Sequence, residues 1–330
     1  MQDIDFVLAK IHGIHSKSVV GDNYERLRKI DSIDSLNKEL FGGDKIGGAS
    51  KRLYTDIEKK FKIKVYKEIT ELSKYFDYKN VFINNTILKY EIENVKNLVN
   101  AHILKIKTDI ELFEVKLENT LNYDMVNKLD YTDFANLKKI LEPTIFNFVI
   151  DLVENKNDKY FIENELDKFY YRKLVESTSR LSKTERDKLR PIILEEMNWQ
   201  NIIWALRTKL YYNKIFSDVE QSFLTESGLI PKAKISKIFD LEFVRDEQDK
   251  ILSGFPTIYR ELIKSATSEE GDIDIPKLEI DVDYRLYSLY IKNFYLEFNI
   301  LAIIAFIHIK MKEYNNVVKI VESIRYKISL

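Results

Sequence analysis

Four features of this chain combine residue types and spacings that could support chemistry. Gly42-Gly43-Asp44-Lys45-Ile46-Gly47-Gly48 gathers four of the nine glycines into one loop, as a phosphate cradle would. Such a loop reads G-x-x-x-x-G-K-[ST], because the Lys reaches the phosphates and the hydroxyl holds magnesium. Counted from Gly42 or Gly43, the Lys position holds Gly48 or Ala49, so the stretch reads as a flexible loop. His12 and His15 are three apart and can share a helix face, but a metal site needs three or four ligands. Asp272-Ile273-Asp274 and Glu279-Ile280-Asp281-Val282-Asp283 alternate acid and apolar residues without the central Gly and closing Glu of a calcium loop. They read as an extended connector leading into the acidic first turn of a helix. The last feature is a set of asparagines, Asn94, Asn201 and Asn299, each inside an apolar stretch. A buried amide is nearly always hydrogen-bonded. These three are therefore expected to tie a helix to adjoining backbone.

No DDxxD, HExxH or GxSxG motif occurs. The absence of cysteine removes disulfides, thiolate catalysis and Cys-ligated zinc. The expectation is a protein with no catalytic residues, no cofactor and no metal.

The elements that must position the asparagines are helices. Leu53, Ile57, Phe61, Val65, Ile69 and Leu72 recur at steps of three or four, with charged residues between them. Similar stretches run over Tyr90 to Lys107, Leu137 to Val153 with an interruption at Pro143, Tyr160 to Leu174, and Pro191 to Phe216. A last long helix is expected from about Tyr284 onward, with a break near Asn315-Asn316. Pro143, Pro191 and Pro231 stand where helices can begin. The fold class is all-α.

An aromatic residue precedes each asparagine: Tyr54 leads to Asn94, Phe146 to Asn201 and Tyr259 to Asn299. Two of these aromatics close nearly the same tetrapeptide, Pro143-Thr144-Ile145-Phe146 and Pro256-Thr257-Ile258-Tyr259. A repeat of about a hundred residues suggests one helical unit used three times. The expected lobes are 1–110, 111–216 and 217–330, joined in one compact body without a Pro/Gly/Ser-rich linker.

Composition agrees with such a body. Apolar residues make up 45% of the 330, enough for a sizeable core, and only five prolines interrupt them. Charged residues reach 32% but balance to −1, which gives no electrostatic footprint for nucleic acid. The first residues carry two aspartates and no basic region, unlike a signal peptide. The strongest apolar run, Ile300 to Ile307, is far below the roughly 20 residues of a membrane span. A soluble or peripheral protein is expected.

Four segments carry a family resemblance. Phe6 to Lys17 (FVLAKIHGIHSK) resembles an opening helix of small, basic and apolar residues. Ile162 to Tyr171 (IENELDKFYY) resembles an "LE-x-x-LD-K-x-YY" segment. Asn198 to Lys209 (NWQNIIWALRTK) resembles a "D-x-x-N-I-x-x-x-L-R-x-K" helix, and Glu297 to Ile324 an "E-x-x-N-L" terminal helix. Their order and spacing resemble the C subunit of V-type (A/V-type) ATPases, the counterpart of eukaryotic subunit d, over nearly the full length. The chain departs from the pattern in having Asn198 for an acid, Tyr211-Tyr212-Asn213 where glycine is common, no glycine near Asn315-Asn316, and Glu297 two residues before Asn299 rather than three.

The resemblance implies a funnel-shaped, pseudo-threefold helical piece on the cytoplasmic face of the membrane. It would couple the central shaft, subunits D and F, to the membrane rotor ring through protein contacts. Arg207 and Lys209 follow the best-matched helix and are the candidate partner-binding residues; the plainer alternative is ordinary surface or intramolecular ion pairs. Two rival readings are an unrelated helical scaffold that recruits soluble partners, with a concave groove, and an all-α enzyme with a pocket of perturbed acids or histidines.

Overall fold

The computed structural model describes residues 4–43, 53–73, 75, 81–106, 112, 117–240, 252–297 and 299–328. Residues 44–48 of the glycine loop lie outside them. Fifteen α-helices follow one another among the described residues, and no strand does. In chain order they are α1 (Ile4–His15), α2 (Asp22–Leu27), α3 (Ile33–Phe41), α4 (Leu53–Ser73), α5 (Val81–Leu104), α6 (Tyr123–Lys128), α7 (Phe134–Leu141), α8 (Phe148–Glu154) and α9 (Lys159–Ser177). The series continues with α10 (Lys183–Leu210), α11 (Phe216–Val219), α12 (Lys232–Ile235), α13 (Thr257–Ser265), α14 (Ile275–Leu296) and α15 (Ile300–Tyr326). The chain is all-α, as its hydrophobic period predicts.

By internal packing it divides into two units, 1–166 with 290–330, and 167–289. The first is organised by α15, which lies along α4 and also meets α1 and α5. α4 turns Ile57, Phe61, Val65, Ile69 and Leu72 inward, the i, i+4, i+8 stripe of its sequence. Leu301 through Ile307 of α15 are buried on every side. A helix apolar all round belongs in the middle of a core, which accounts for the strongest apolar run without any membrane. No described helix is long and apolar enough to cross one.

The second unit is built on α10. Trp199, Ile202, Ala205 and Leu206 pack with Ile235, Ile238, Tyr259, Ile263, Leu278 and Val282. α10 opens on a capping box, in which Ser182 accepts from the Glu185 amide and the Glu185 side chain accepts from the Ser182 amide. This signal lies one residue before Lys183 and outranks the proline expected to start the helix: Pro191 is inside α10. Pro191 and Asp187, whose carbonyl loses its helical donor there, are both exposed, so water can serve it. Pro231 does sit at a helix start, as the N-cap of α12, and Pro143 lies in the turn between α7 and α8.

The C-terminal region differs from expectation in one respect that matters below. There is no break at Asn315-Asn316, and α15 is continuous through them. Instead, α14 ends at Leu296 and α15 begins at Ile300. Asn299 takes an extended backbone and its side chain accepts from the Leu301 amide at 2.8 Å, which makes it the N-cap of α15. The acidic segment also resolves into local structure. Thr267 and Ile273 form an isolated antiparallel bridge, Asp274 accepts from the Lys277 amide, and Glu279 to Asp283 are helical in α14.

Gly228 stands in the turn after the Leu224 segment with φ of +98°. A Cβ there would lie 2.9 Å from Leu194 Cδ1 of α10. Gly228→Ala should therefore lose about 1–3 kcal/mol through left-handed backbone strain and crowding, read as a lowered urea midpoint.

Candidate functional site

Among the described residues, the chemistry-bearing side chains singled out in the sequence do not converge on one pocket. They form buried polar clamps on three long helices. On α10, Asn201 reaches the backbone of Leu224 twice: its Oδ1 accepts from the Leu224 amide at 2.8 Å and its Nδ2 donates to the Leu224 carbonyl at 3.0 Å. One helical turn earlier, Asn198 Oδ1 accepts from the Ile230 amide at 2.8 Å and Nδ2 donates to Tyr259 Oη at 3.0 Å. Both amides are buried, and their i, i+3 spacing puts them on one face. The Tyr259 hydroxyl is pushed up to about 12, chiefly by burial, and stays a neutral partner.

On α5 the pair is Glu91 and Asn94. Glu91 Oε1 accepts from the Leu121 amide at 2.7 Å, while Oε2 takes bonds from Asn94 Nδ2 at 2.9 Å and from the Tyr123 hydroxyl. Asn94 Nδ2 also lies 2.9 Å from Tyr123 Oη. Both residues are fully buried. Burial raises the Glu91 pKa, and the bonds from Tyr123, Asn94, Leu121 and Thr120 pull it partly back. Because the folded state holds this proton more tightly than the unfolded chain, Glu91 favours folding most at acid pH. That contribution is lost as pH rises through the carboxylate range. Glu91→Gln keeps an oxygen for Leu121. Relative to the parent, its stability should improve between about pH 4 and pH 7, measured by urea unfolding at both ends.

The third clamp is on α15 and does not involve Asn299. Glu313 Oε1 accepts from the Val19 amide at 2.9 Å, and Asn316 Nδ2 donates to the Val19 carbonyl at 2.8 Å. Glu313 also pairs with Lys310, which pairs in turn with Glu68 of α4. Lys310 Nζ is 3.5 Å from Ser18 Oγ. Lys310 and Glu313 are each 1% exposed, so these charges live on one another. Of the three asparagines singled out in the sequence, Asn201 holds backbone, Asn94 bonds the side chains of Glu91 and Tyr123, and Asn299 is a half-buried cap. The sequence reading missed Glu313 and Asn316, although their spacing is the E-x-x-N of the terminal-helix pattern that Glu297 and Asn299 fail to meet. The leading aromatics also differ in role. Phe146 is wholly buried, Tyr259 is a hydrogen-bond partner beside Trp199, and half-buried Tyr54 faces the Arg325 guanidinium at 5.9 Å.

The histidines are accounted for by packing. His12 and His15 of α1 pack against Phe294, tilted and edge-on, with centroids 4.4 and 4.6 Å away, and His15 Nε2 is 3.0 Å from Tyr295 Oη. Burial, then His12 and Lys310, lower the His15 pKa to about 4. His102 Nδ1 is 3.2 Å from the Tyr131 carbonyl, and His308 stacks on Tyr290 at 3.8 Å. Among the described residues no three His, Asp or Glu side chains gather as metal ligands. Arg207 lies 2.5 Å from Glu279, with both side chains at least a third exposed, and Lys209 makes no ion pair among the described residues.

Such contacts fix one segment against a helix: α10 and α15 each hold the N–H and the C=O of one residue, and α5 holds the Leu121 N–H. Comparison with known proteins agrees with the motif order. The family model described as ATP synthase (C/AC39) subunit matches residues 7–329. No curated protein matches the chain.

Proposed function

The chain belongs to the ATP synthase (C/AC39) subunit family, a subunit of V/A-type ATPases, and from that premise we propose that it is the non-catalytic central-stalk piece coupling the rotor shaft, subunits D and F, to the membrane rotor ring during ion transport. The observation that carries this reading is the near full-length match over residues 7–329. The three buried clamps support it. A torque-bearing element must resist shear between its helices, and hydrogen bonds to buried backbone resist slipping where apolar packing alone is non-directional.

The three-lobe division at 1–110, 111–216 and 217–330 belongs to the same proposal, as does peripheral attachment at the cytoplasmic face through protein contacts. Arg207 and Lys209 are its partner-facing cations. Arg207 would exchange Glu279 for an acidic partner, at small cost, since exposed pairs contribute roughly 0–1 kcal/mol.

Pull-down of the tagged chain from native membranes tests the proposal. Shaft subunits and ring should co-elute, and Arg207→Glu should weaken recovery of the shaft several-fold while leaving the fold intact by circular dichroism. Recovery of soluble proteins alone would replace the coupling role with that of a general scaffold. Unchanged shaft recovery with Arg207→Glu would remove that residue from the interface.

A further inference from the structure

The direction in which the clamped backbone lies differs among the three helices. Asn198 and Asn201 of α10 hold Leu224 and Ile230, downstream in the chain. Glu91 of α5 holds Leu121, also downstream. Glu313 and Asn316 of α15 hold Val19, 297 residues upstream of Asn316. The chemistry is otherwise shared. A side-chain oxygen accepts the segment's amide at 2.7–2.9 Å in each case. In α10 and α15 an Asn Nδ2 also donates to the carbonyl of the same residue, at 3.0 and 2.8 Å. Ser18, Val19 and Val20 are all buried.

We propose that Ser18–Val20 is a strap that takes, in the third helical unit, the structural place of the downstream segments around Leu121 and Leu224. The helix it closes comes from the far end of the sequence. The strap hangs between two local anchors. On its N-terminal side α1 packs on α15, and its last turns pack His12 and His15 against Phe294. On its C-terminal side Asn23 Nδ2 donates back to the Ser16 and Ser18 carbonyls, so the turn into α2 is itself tied down. Between them, the Ser18 amide donates to the His15 carbonyl, and Val19 is held to α15 by its two bonds to Glu313 and Asn316, with Lys310 placed against Ser18. The strap is thus a latch. Opening it frees residues 16–22 from α15, while α1 keeps its buried Val7, Leu8 and Ile11 and α15 its buried Ile303, Phe306, Ile307 and Ile320. A latch of this kind lets the strap lift from the last helix and re-engage as one local step, below the cost of global unfolding.

Hydrogen exchange on the full-length chain tests this. In the parent protein the Val19 amide should be protected to the same order as those of Leu121 and Leu224. Asn316→Leu should speed exchange across residues 16–22 by about tenfold or more, the loss expected when a buried hydrogen bond is removed. Exchange across 301–321 should stay within about threefold of the parent. Val19→Pro, which deletes the donor on the strap and leaves α15 untouched, should produce the same local opening and new protease cleavage confined to 16–22. Free-chain exchange of Val19 in the parent would overturn the proposal. So would equal acceleration of 16–22 and 301–321 in both variants, which would make the segment ordinary core that opens only with the whole unit.

Discussion

Lys310→Met should lower the stability of the unit containing α15 by about 3–5 kcal/mol, with a melting temperature lower by on the order of 10 °C. Among the described residues Lys310 is the one cation paired with the carboxylates of Glu313 and Glu68, and both it and Glu313 are excluded from water. Removing the ammonium leaves a buried carboxylate beside a second one. The penalty is that of an uncompensated charge, larger than the worth of an exposed ion pair. The side-chain volume of Met is close to that of Lys, so a cavity does not account for the loss. The double variant Lys310→Met with Glu313→Gln should recover more than half of it. Gln keeps an oxygen for the Val19 amide, and the charge that had lost its partner is gone. A coupling energy near zero in this double-mutant cycle would mean that the pair is not what makes Lys310 necessary.

Asn201→Leu should cost about 2–4 kcal/mol in the second unit. Leucine fits the volume, but it strands the Leu224 amide and carbonyl, which the amide side chain serves from one position. Each buried group left without a partner costs about 1–3 kcal/mol. Asn201→Asp separates the two halves of the clamp. It keeps an acceptor for the Leu224 amide and turns the donor facing the carbonyl into a second acceptor, so it should also destabilise. Urea unfolding with unchanged slope and a lowered midpoint is the expected signature. An unaltered midpoint for Asn201→Leu would show that water replaces the side chain and that the clamp is dispensable.

The clamps also show which parts of the site could be read beforehand. Asn94 and Asn201 stood out because each interrupts an apolar helix stripe, and a polar residue on a buried face must find partners. Asn299 met the same local description, yet its backbone is extended and its side chain caps α15. An Asn beside an apolar run is compatible with either role, since a cap and a core amide satisfy the same hydrogen-bonding demand. What separates them is the i, i+3 partner: Glu91 for Asn94, Asn198 for Asn201, Glu313 for Asn316. That signal was present, but Asn315-Asn316 suggested a helix break by propensity. The pull of Asn against helix was overridden once its amide turned inward to Val19.

Several properties are local and are settled by the sequence. Apolar residues at steps of three and four dictate helices, because those steps put them on one face. The Ser182 and Glu185 pair dictates where α10 starts, since both partners lie within one turn. Motif order along the chain identifies the family. Tertiary structure alone decided which polar side chains share a segment and which charges are buried. Val19 meets Glu313 and Asn316 across almost the whole chain, and Lys310 meets Glu68 from another helix. Nothing in a window of neighbouring residues encodes such a meeting. It exists because burying the α4 and α15 stripes brings those backbones into a dry interior, where every remaining donor, acceptor and charge has to be matched by whatever the fold has placed beside it.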